Sequence, residues 1–170
     1  MTAIYLSLGS NVERHKNIAA ALDALAILLG ELRISSVYES KSVGFDGNNF
    51  FNLVVGADTD LSIAELSETL KRIEDKNGRK RSGPKFSPRT LDIDILTYGN
   101  FVGVEGGVEL PRAEITKNAF VLLPLAEIAP QVLHPQLEKS YSDLWAGYDQ
   151  ASQSLWPIDF EWQGKIISNA

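Results

Sequence analysis

Apolar positions along this chain change their period several times, and each change marks an element. Ile4, Leu6 and Leu8 alternate in a short opening strand over residues 4–8, which stops at Gly9, Ser10 and Asn11. That turn carries side chains able to cap a helix. Ile18, Leu22, Leu25, Ala26 and Leu29 then recur at helical spacing and close on Gly30. A second strand is expected over residues 34–40, a glycine- and asparagine-rich loop over 44–49 and a third strand over 50–57. Ser62 opens a second helix with Glu65 placed as in a capping box, and Ile63, Leu66, Leu70 and Ile73 form its buried stripe. A fourth strand runs over 90–98. The order β-α-β-β-α-β predicts an α+β fold of the split βαβ kind, an antiparallel sheet with the helices on one face.

Beyond the fourth strand, Gly103, Gly106 and Gly107 mark a hairpin-like loop, and residues 120–128 form an apolar third helix bounded by Pro130. Trp145, Trp156 and Trp162, with Phe160, are expected to pack a C-terminal strand or arm against the body rather than to form a ligand cage. Residues 1–170 are read as one domain.

The fourth strand carries the densest chemistry. Leu91, Ile93 and Ile95 alternate with Thr90, Asp92 and Asp94, so the two aspartates project from one surface. Like charges held that close repel, and each resists ionising unless a cation lies between them. Oxygen ligands of this kind suit a hard divalent ion, magnesium above all, bridging protein to phosphate. The alternative is a strand face whose acids are simply solvated.

Composition sharpens this picture. There are 16 lysines and arginines against 22 acidic residues, a formal net charge of −6, which disfavours a nucleic-acid partner. Yet Lys71, Arg72, Lys76, Arg79, Lys80, Arg81, Lys85 and Arg89 are half of all the basic residues, and they lead straight into the aspartate strand. Lys71 to Lys76 suit the solvated outside of a helix. Over residues 78–88, Gly78, Gly83, Pro84 and Pro88 break regular structure, placing their cations on a loop able to close over a polyanion. Cations beside a carboxylate pair point to a phosphorylated small ligand.

The absence of cysteine excludes disulfides, thiolate zinc sites and cysteine nucleophiles. No segment resembles a signal peptide or a membrane span, and a cytoplasmic protein is expected. There is no Gly-x-x-x-x-Gly-Lys-Ser/Thr loop and no Gly-x-Gly-x-x-Gly fingerprint. His15 is read as lying on a solvated helix start and His134, before Pro135, as a turn residue.

Taken together, these residues resemble the 6-hydroxymethyl-7,8-dihydropterin pyrophosphokinase family, over about residues 3–135. The marks are Leu8-Gly9-Ser10-Asn11, Val37-Tyr38-Glu39-Ser40, Phe51-Asn52-Leu53-Val54, Arg72-Ile73-Glu74, Pro88-Arg89-Thr90-Leu91-Asp92-Ile93-Asp94-Ile95, and the run from Leu122 to Pro130. The Pro-Arg-x-x-Asp-x-Asp element is specific in combination with the others. The resemblance implies a ferredoxin-like α+β domain with elaborations, including a C-terminal one. It implies transfer of the β,γ-diphosphate of ATP to the hydroxymethyl group of a reduced pterin, with release of AMP, in folate biosynthesis.

By the same resemblance, Asp92 and Asp94 would hold two magnesium ions bridging the ATP phosphates. Arg79, Arg81 and Arg89 match phosphate-contacting positions. Lys71, Glu74 and Ile95 fall at nucleotide positions. Asn52 would read the pterin edge, Phe120 and Phe86 would sandwich the ring, and Ser40, Val43 and Phe50 lie at pterin-pocket positions. The partners implied are small molecules only, with neither nucleic acid nor membrane, and the chain is expected to be a monomer.

Three positions depart from the family pattern. Arg112 follows Pro111 where the family commonly has histidine, Asn118 stands two residues before Phe120 where arginine is common, and Lys85 with Phe86 replaces arginine with tryptophan. Arg112 retains a cation able to meet phosphate, with different reach and permanent charge. The alternatives are a paralogue acting on a related alcohol and a pterin- or nucleotide-binding module without turnover. A two-metal nuclease or cyclase would need a third carboxylate at the pair, for which Glu39 and Glu74 are the candidates.

Overall fold

The computed structural model describes residues 1–41, 48–77 and 91–170. In chain order the elements are β1 (Thr2–Ser10), α1 (Arg14–Leu29), β2 (Arg33–Ile34), β3 (Tyr38–Ser40), β4 (Phe50–Thr59) and α2 (Ile63–Lys76). There follow β5 (Asp92–Tyr98), the hairpin strands β6 (Gly103–Glu105) and β7 (Val108–Leu110), α3 (Glu114–Lys117), α4 (Ala119–Ile128) and α5 (Tyr141–Ala146). The chain closes with β8 (Leu155–Pro157), β9 (Phe160–Trp162) and β10 (Lys165–Ser168). The main sheet runs β5-β1-β4-β3-β8, with β2 also on β4, and every pairing in it is antiparallel.

Alternation along the central strands divides the core in two. Ile4, Leu6, Leu8, Leu53, Val55, Ile93 and Ile95 face α1 and α2, where Ile18, Leu22, Leu25, Ile63, Leu66, Leu70 and Ile73 meet them. Burying each such side chain stabilises the fold by roughly 1.5–3 kcal/mol. The other sheet face, through Tyr5, Val54 and Leu96, packs on Ile115, Val121, Leu122, Leu125 and Tyr141. The two helices expected on one face, α1 and α2, lie there together, and the third predicted helix, α4, covers the other face. α4 is apolar all round because the sheet lies on one side of it and α3 and α5 lie against it.

Two further expectations are corrected. The single strand over 34–40 is broken into β2 and β3, because side chains capture the backbone between them. Ser35 Oγ accepts the Val54 N–H, the Glu127 carboxylate accepts the Ser36 N–H, and Ser168 Oγ accepts the Val37 N–H. The residues proposed to cap α1 are also turned elsewhere: Ser10 Oγ donates to the Val12 carbonyl and Asn11 Nδ2 to that of Asn48. The helix starts instead after Glu13, whose side chain makes no capping bond. By contrast, both halves of the Ser62/Glu65 capping box form, and the Ser62 N–H holds the Glu65 carboxyl below its usual range.

Phe160, Trp162 and Trp145 pack on the body as expected, whereas Trp156, on β8, is exposed. Phe160 is 3 % exposed and stacks on the exposed His15 with ring centroids 4.2 Å apart, while Trp162 Nε1 donates to Asp23. No helix among the described residues is long and apolar enough to cross a membrane.

Candidate active site

Strand register assembles the site. On β5, Asp92 lies opposite Gly9 of β1; Gly9 lies opposite Asn52 of β4; and Asn52 lies opposite Tyr38 of β3. Paired residues share a face, so Asp92, Gly9 and Asn52 form one row across three strands, with Asp94 and Ser7 in the next row. This is the α4 side of the sheet.

Gly9 keeps that row open. A Cβ there would come 3.2 Å from Asn52 Oδ1 and 3.8 Å from the Phe50 ring. Bare backbone thus separates the aspartate side of the row from the Asn52 side. In the sequence Gly9 reads as part of a capping turn with a secondary role near the site. A glycine in a strand interior is the signal that marks a close approach.

Asn52 is buried, and its Nδ2 donates to Ser40 Oγ at 2.8 Å. That bond uses one amide hydrogen and fixes the direction of the side chain. Ser40 and Phe120 line a cavity of about 280 Å³ together with Lys41, Ala119 and the segment 152–155. Phe50, half-buried at the start of β4, adjoins Gly9. The structure therefore brings Ser40, Phe50, Asn52 and Phe120 to the same end of the sheet face as Asp92.

At the other side of the row, Asp94 has a side chain 44 % exposed, with Arg112 Nη2 3.7 Å from its Oδ1. Arg112 Nε donates to Glu114 Oε2 at 2.7 Å, and the Arg112 N–H donates to the Leu96 carbonyl at 3.0 Å. The guanidinium is thus fastened beside the strand by α3 and by β5 itself. Two carboxylates on one accessible face, with a bare glycine alongside Asp92, suit a hard divalent cation.

The nucleotide candidates Lys71, Glu74 and Ile95 sit elsewhere. Ile95 is 4 % exposed in the core shared with α1 and α2, on the opposite face of β5 from Asp94. Lys71 is exposed on α2. Glu74 is 6 % exposed, and its Oε2 accepts the Ile93 N–H at 2.8 Å, which bonds α2 to the outer edge of the aspartate strand. Glu39 faces away from the row, where its carboxylate receives Arg14 Nη1 and Asn49 Nδ2. Neither Glu74 nor Glu39 is thus aimed at the aspartate face. Val43, Arg79, Arg81, Phe86 and Arg89 lie outside the described residues.

Helix α4 is set firmly against this face. The Glu127 carboxylate accepts from the Ser36 N–H, Ser36 Oγ and the Tyr38 hydroxyl. Burial, with the Glu127 carboxylate beside it, pushes the Tyr38 phenol well above its ordinary range, so it stays a donor. Deeper in, burial pushes the Tyr141 phenol up to about 12.

The chain is similar to known proteins over most of its length. Residues 5–130 match the family model described as 7,8-dihydro-6-hydroxymethylpterin-pyrophosphokinase (HPPK). A 2-amino-4-hydroxy-6-hydroxymethyldihydropteridine pyrophosphokinase of Aquifex aeolicus is 41% identical over 141 residues, covering 82% of this chain and 88% of the relative. The enzyme of that name from Haemophilus influenzae is 35% identical over 153 residues, covering 84% and 95%. A crystal structure of a Plasmodium falciparum HPPK-DHPS variant shares the fold, with TM-score 0.70 at 16% identity, over 98% of this chain. The chain spans 46% of that longer protein. On the family match and the identities over most of its length, this chain belongs to the 7,8-dihydro-6-hydroxymethylpterin pyrophosphokinase family.

Proposed function

We propose that the protein transfers diphosphate from ATP to the hydroxymethyl group of 6-hydroxymethyl-7,8-dihydropterin, releasing AMP, in folate biosynthesis. Family membership supports the reaction, and the row Asp92–Gly9–Asn52 is the observation that carries it onto this chain's own residues. The alcohol oxygen bonds to the β-phosphorus as the α–β bridging bond breaks. AMP leaves, and the alcohol gives up its proton. Such a transfer needs positioning and charge neutralisation more than covalent help.

Each group then has a task. Asn52, oriented by Ser40, hydrogen-bonds the pterin edge, and Phe120 covers the ring face, with Phe86 as its opposite number. Phe50 and Val43 complete the apolar surround. Asp92 and Asp94 would hold two magnesium ions, which neutralise phosphate charge when bound. Arg112 adds a fixed cation at the same edge. Arg79, Arg81 and Arg89 would supply further positive charge to the phosphates.

β5 is the outer strand of the sheet, with α2 on one side and the aspartates on the other. A nucleotide that meets Lys71, Glu74 and Ile95 as well as the aspartates would straddle that edge. We read the sheet as ferredoxin-like on its strand order, the chain as one domain acting as a monomer, and its compartment as the cytoplasm. The test is product analysis with magnesium, ATP and the reduced hydroxymethyl pterin. AMP is the expected nucleotide product, and ADP or no nucleotide product would overturn the proposal.

A further inference from the structure

One wall of the cavity that holds Ser40 and Phe120 comes from outside the family-matched residues 5–130. Ser152, Gln153, Ser154 and Leu155 line it, and β8 then extends the sheet beside β3 with Leu155 opposite Ser40. Gln153, half-buried like Leu155, is the residue of the segment that bonds to the start of α4. Its Oε1 accepts the Ala119 N–H at 2.7 Å, while its Nε2 donates to the Lys117 carbonyl at 3.3 Å and to Asn118 Oδ1 at 3.4 Å.

Ala119 is the first residue of α4, and Asn118, the N-cap residue, makes no side-chain capping bond. A helix leaves its first N–H groups open, and here an amide from far along the chain takes one of them. Phe120 is the next residue. The other end of α4 is held by Glu127 against Ser36 and Tyr38. The helix is therefore fastened at both ends, and Gln153 sets the end that carries Phe120.

We infer that Gln153 is a positioning residue for the pterin-like substrate, tying the 152–155 segment to the first turn of α4 and so fixing the gap between Phe120 and Ser40. The amide of Gln153, the hydroxyls of Ser152 and Ser154 and the apolar body of Leu155 together suit a flat ring with a polar rim. The inference rests on the function proposed above and adds to it a substrate wall supplied by the C-terminal region.

Steady-state kinetics of AMP formation with Gln153→Ala and Gln153→Glu test it. Gln153→Ala removes all three bonds, whereas Gln153→Glu keeps an acceptor for the Ala119 N–H. Gln153→Ala should raise KM for the reduced hydroxymethyl pterin about tenfold and leave KM for ATP within about twofold. Gln153→Glu turns a carboxylate oxygen toward the two acceptors that Nε2 served, so it should recover only part of the difference. An unchanged pterin KM in Gln153→Ala overturns the inference, and so does an equal rise in both KM values, the mark of general loosening. Absence of AMP from the unsubstituted protein instead overturns the proposed function. Equilibrium binding of the pterin beside a non-hydrolysable ATP analogue then reads Gln153 without turnover, and equal affinity in all three proteins overturns the inference by itself.

Discussion

Asp92 and Asn52 stand in one row of the sheet, on either side of Gly9, two strand spacings or about 10 Å apart. On the proposed function, that separation would set a carboxylate for a cation and an amide for a ring edge at opposite ends of a bare backbone floor. Substituting Gly9→Ala puts a methyl group 3.2 Å from Asn52 Oδ1 and obliges Asn52 to shift. The expected outcome is a rise of about tenfold in KM for the pterin, about 1.4 kcal/mol. Steady-state kinetics with varied pterin at saturating ATP check this, and an unchanged KM counts against the floor.

Removing either aspartate strikes the other end of the row. Asp92→Ala or Asp94→Ala should cost about 4 kcal/mol of transition-state stabilisation, roughly a thousandfold in rate. Magnesium titrations of turnover, with direct magnesium binding by calorimetry, distinguish a lost ligand from a misfolded chain. Turnover near that of the unsubstituted protein at ordinary magnesium would rule out the assignment.

Glu74 acts through the strand rather than on its exposed face. Its carboxylate holds the Ile93 N–H between the two aspartates, so Glu74→Ala should destabilise the fold by about 1.5–3 kcal/mol. Glu74→Gln retains an acceptor and should lose less. Urea unfolding measures both. Equal losses in the two variants would show that charge, not the hydrogen bond to Ile93, is what matters.

His134 gives the fold an acid-side weakness. It is buried, and its Nδ1 accepts the N–H groups of Gln136 and Leu137, each at 3.1 Å. Burial lowers its pKa below the ordinary 6.5, so the folded state binds a proton less readily than the unfolded one. The stability this contributes is present above about pH 6.5 and is lost as pH falls through the depressed value. Asn at this position offers Oδ1 in place of Nδ1 without titrating. Melting temperature against pH should therefore fall more steeply below pH 6.5 in the unsubstituted protein than in His134→Asn, and parallel curves would contradict this.

Much of this was legible in the residues, for physical reasons. Alternation in the fourth strand places Asp92 and Asp94 on one side whatever packs around it, and the Ser62/Glu65 box is a local device that needs no tertiary help. What was hidden depended on partners distant in sequence. Periodicity says that 120–128 is apolar but not which sheet face it covers. The break after Ile34 needs Glu127 and Ser168 to claim the backbone of Ser36 and Val37. Gly9 becomes part of a site only when register sets Asp92 and Asn52 beside it. Gln153 is a polar residue in an irregular segment, and no local pattern separates it from its neighbours.

The strand Leu155–Pro157 has a consequence for anyone who shortens the protein. It occupies the outward hydrogen-bonding row of Tyr38–Ser40. A version stopped ahead of it would bare that row as a template for foreign strands, and its first symptom would be self-association.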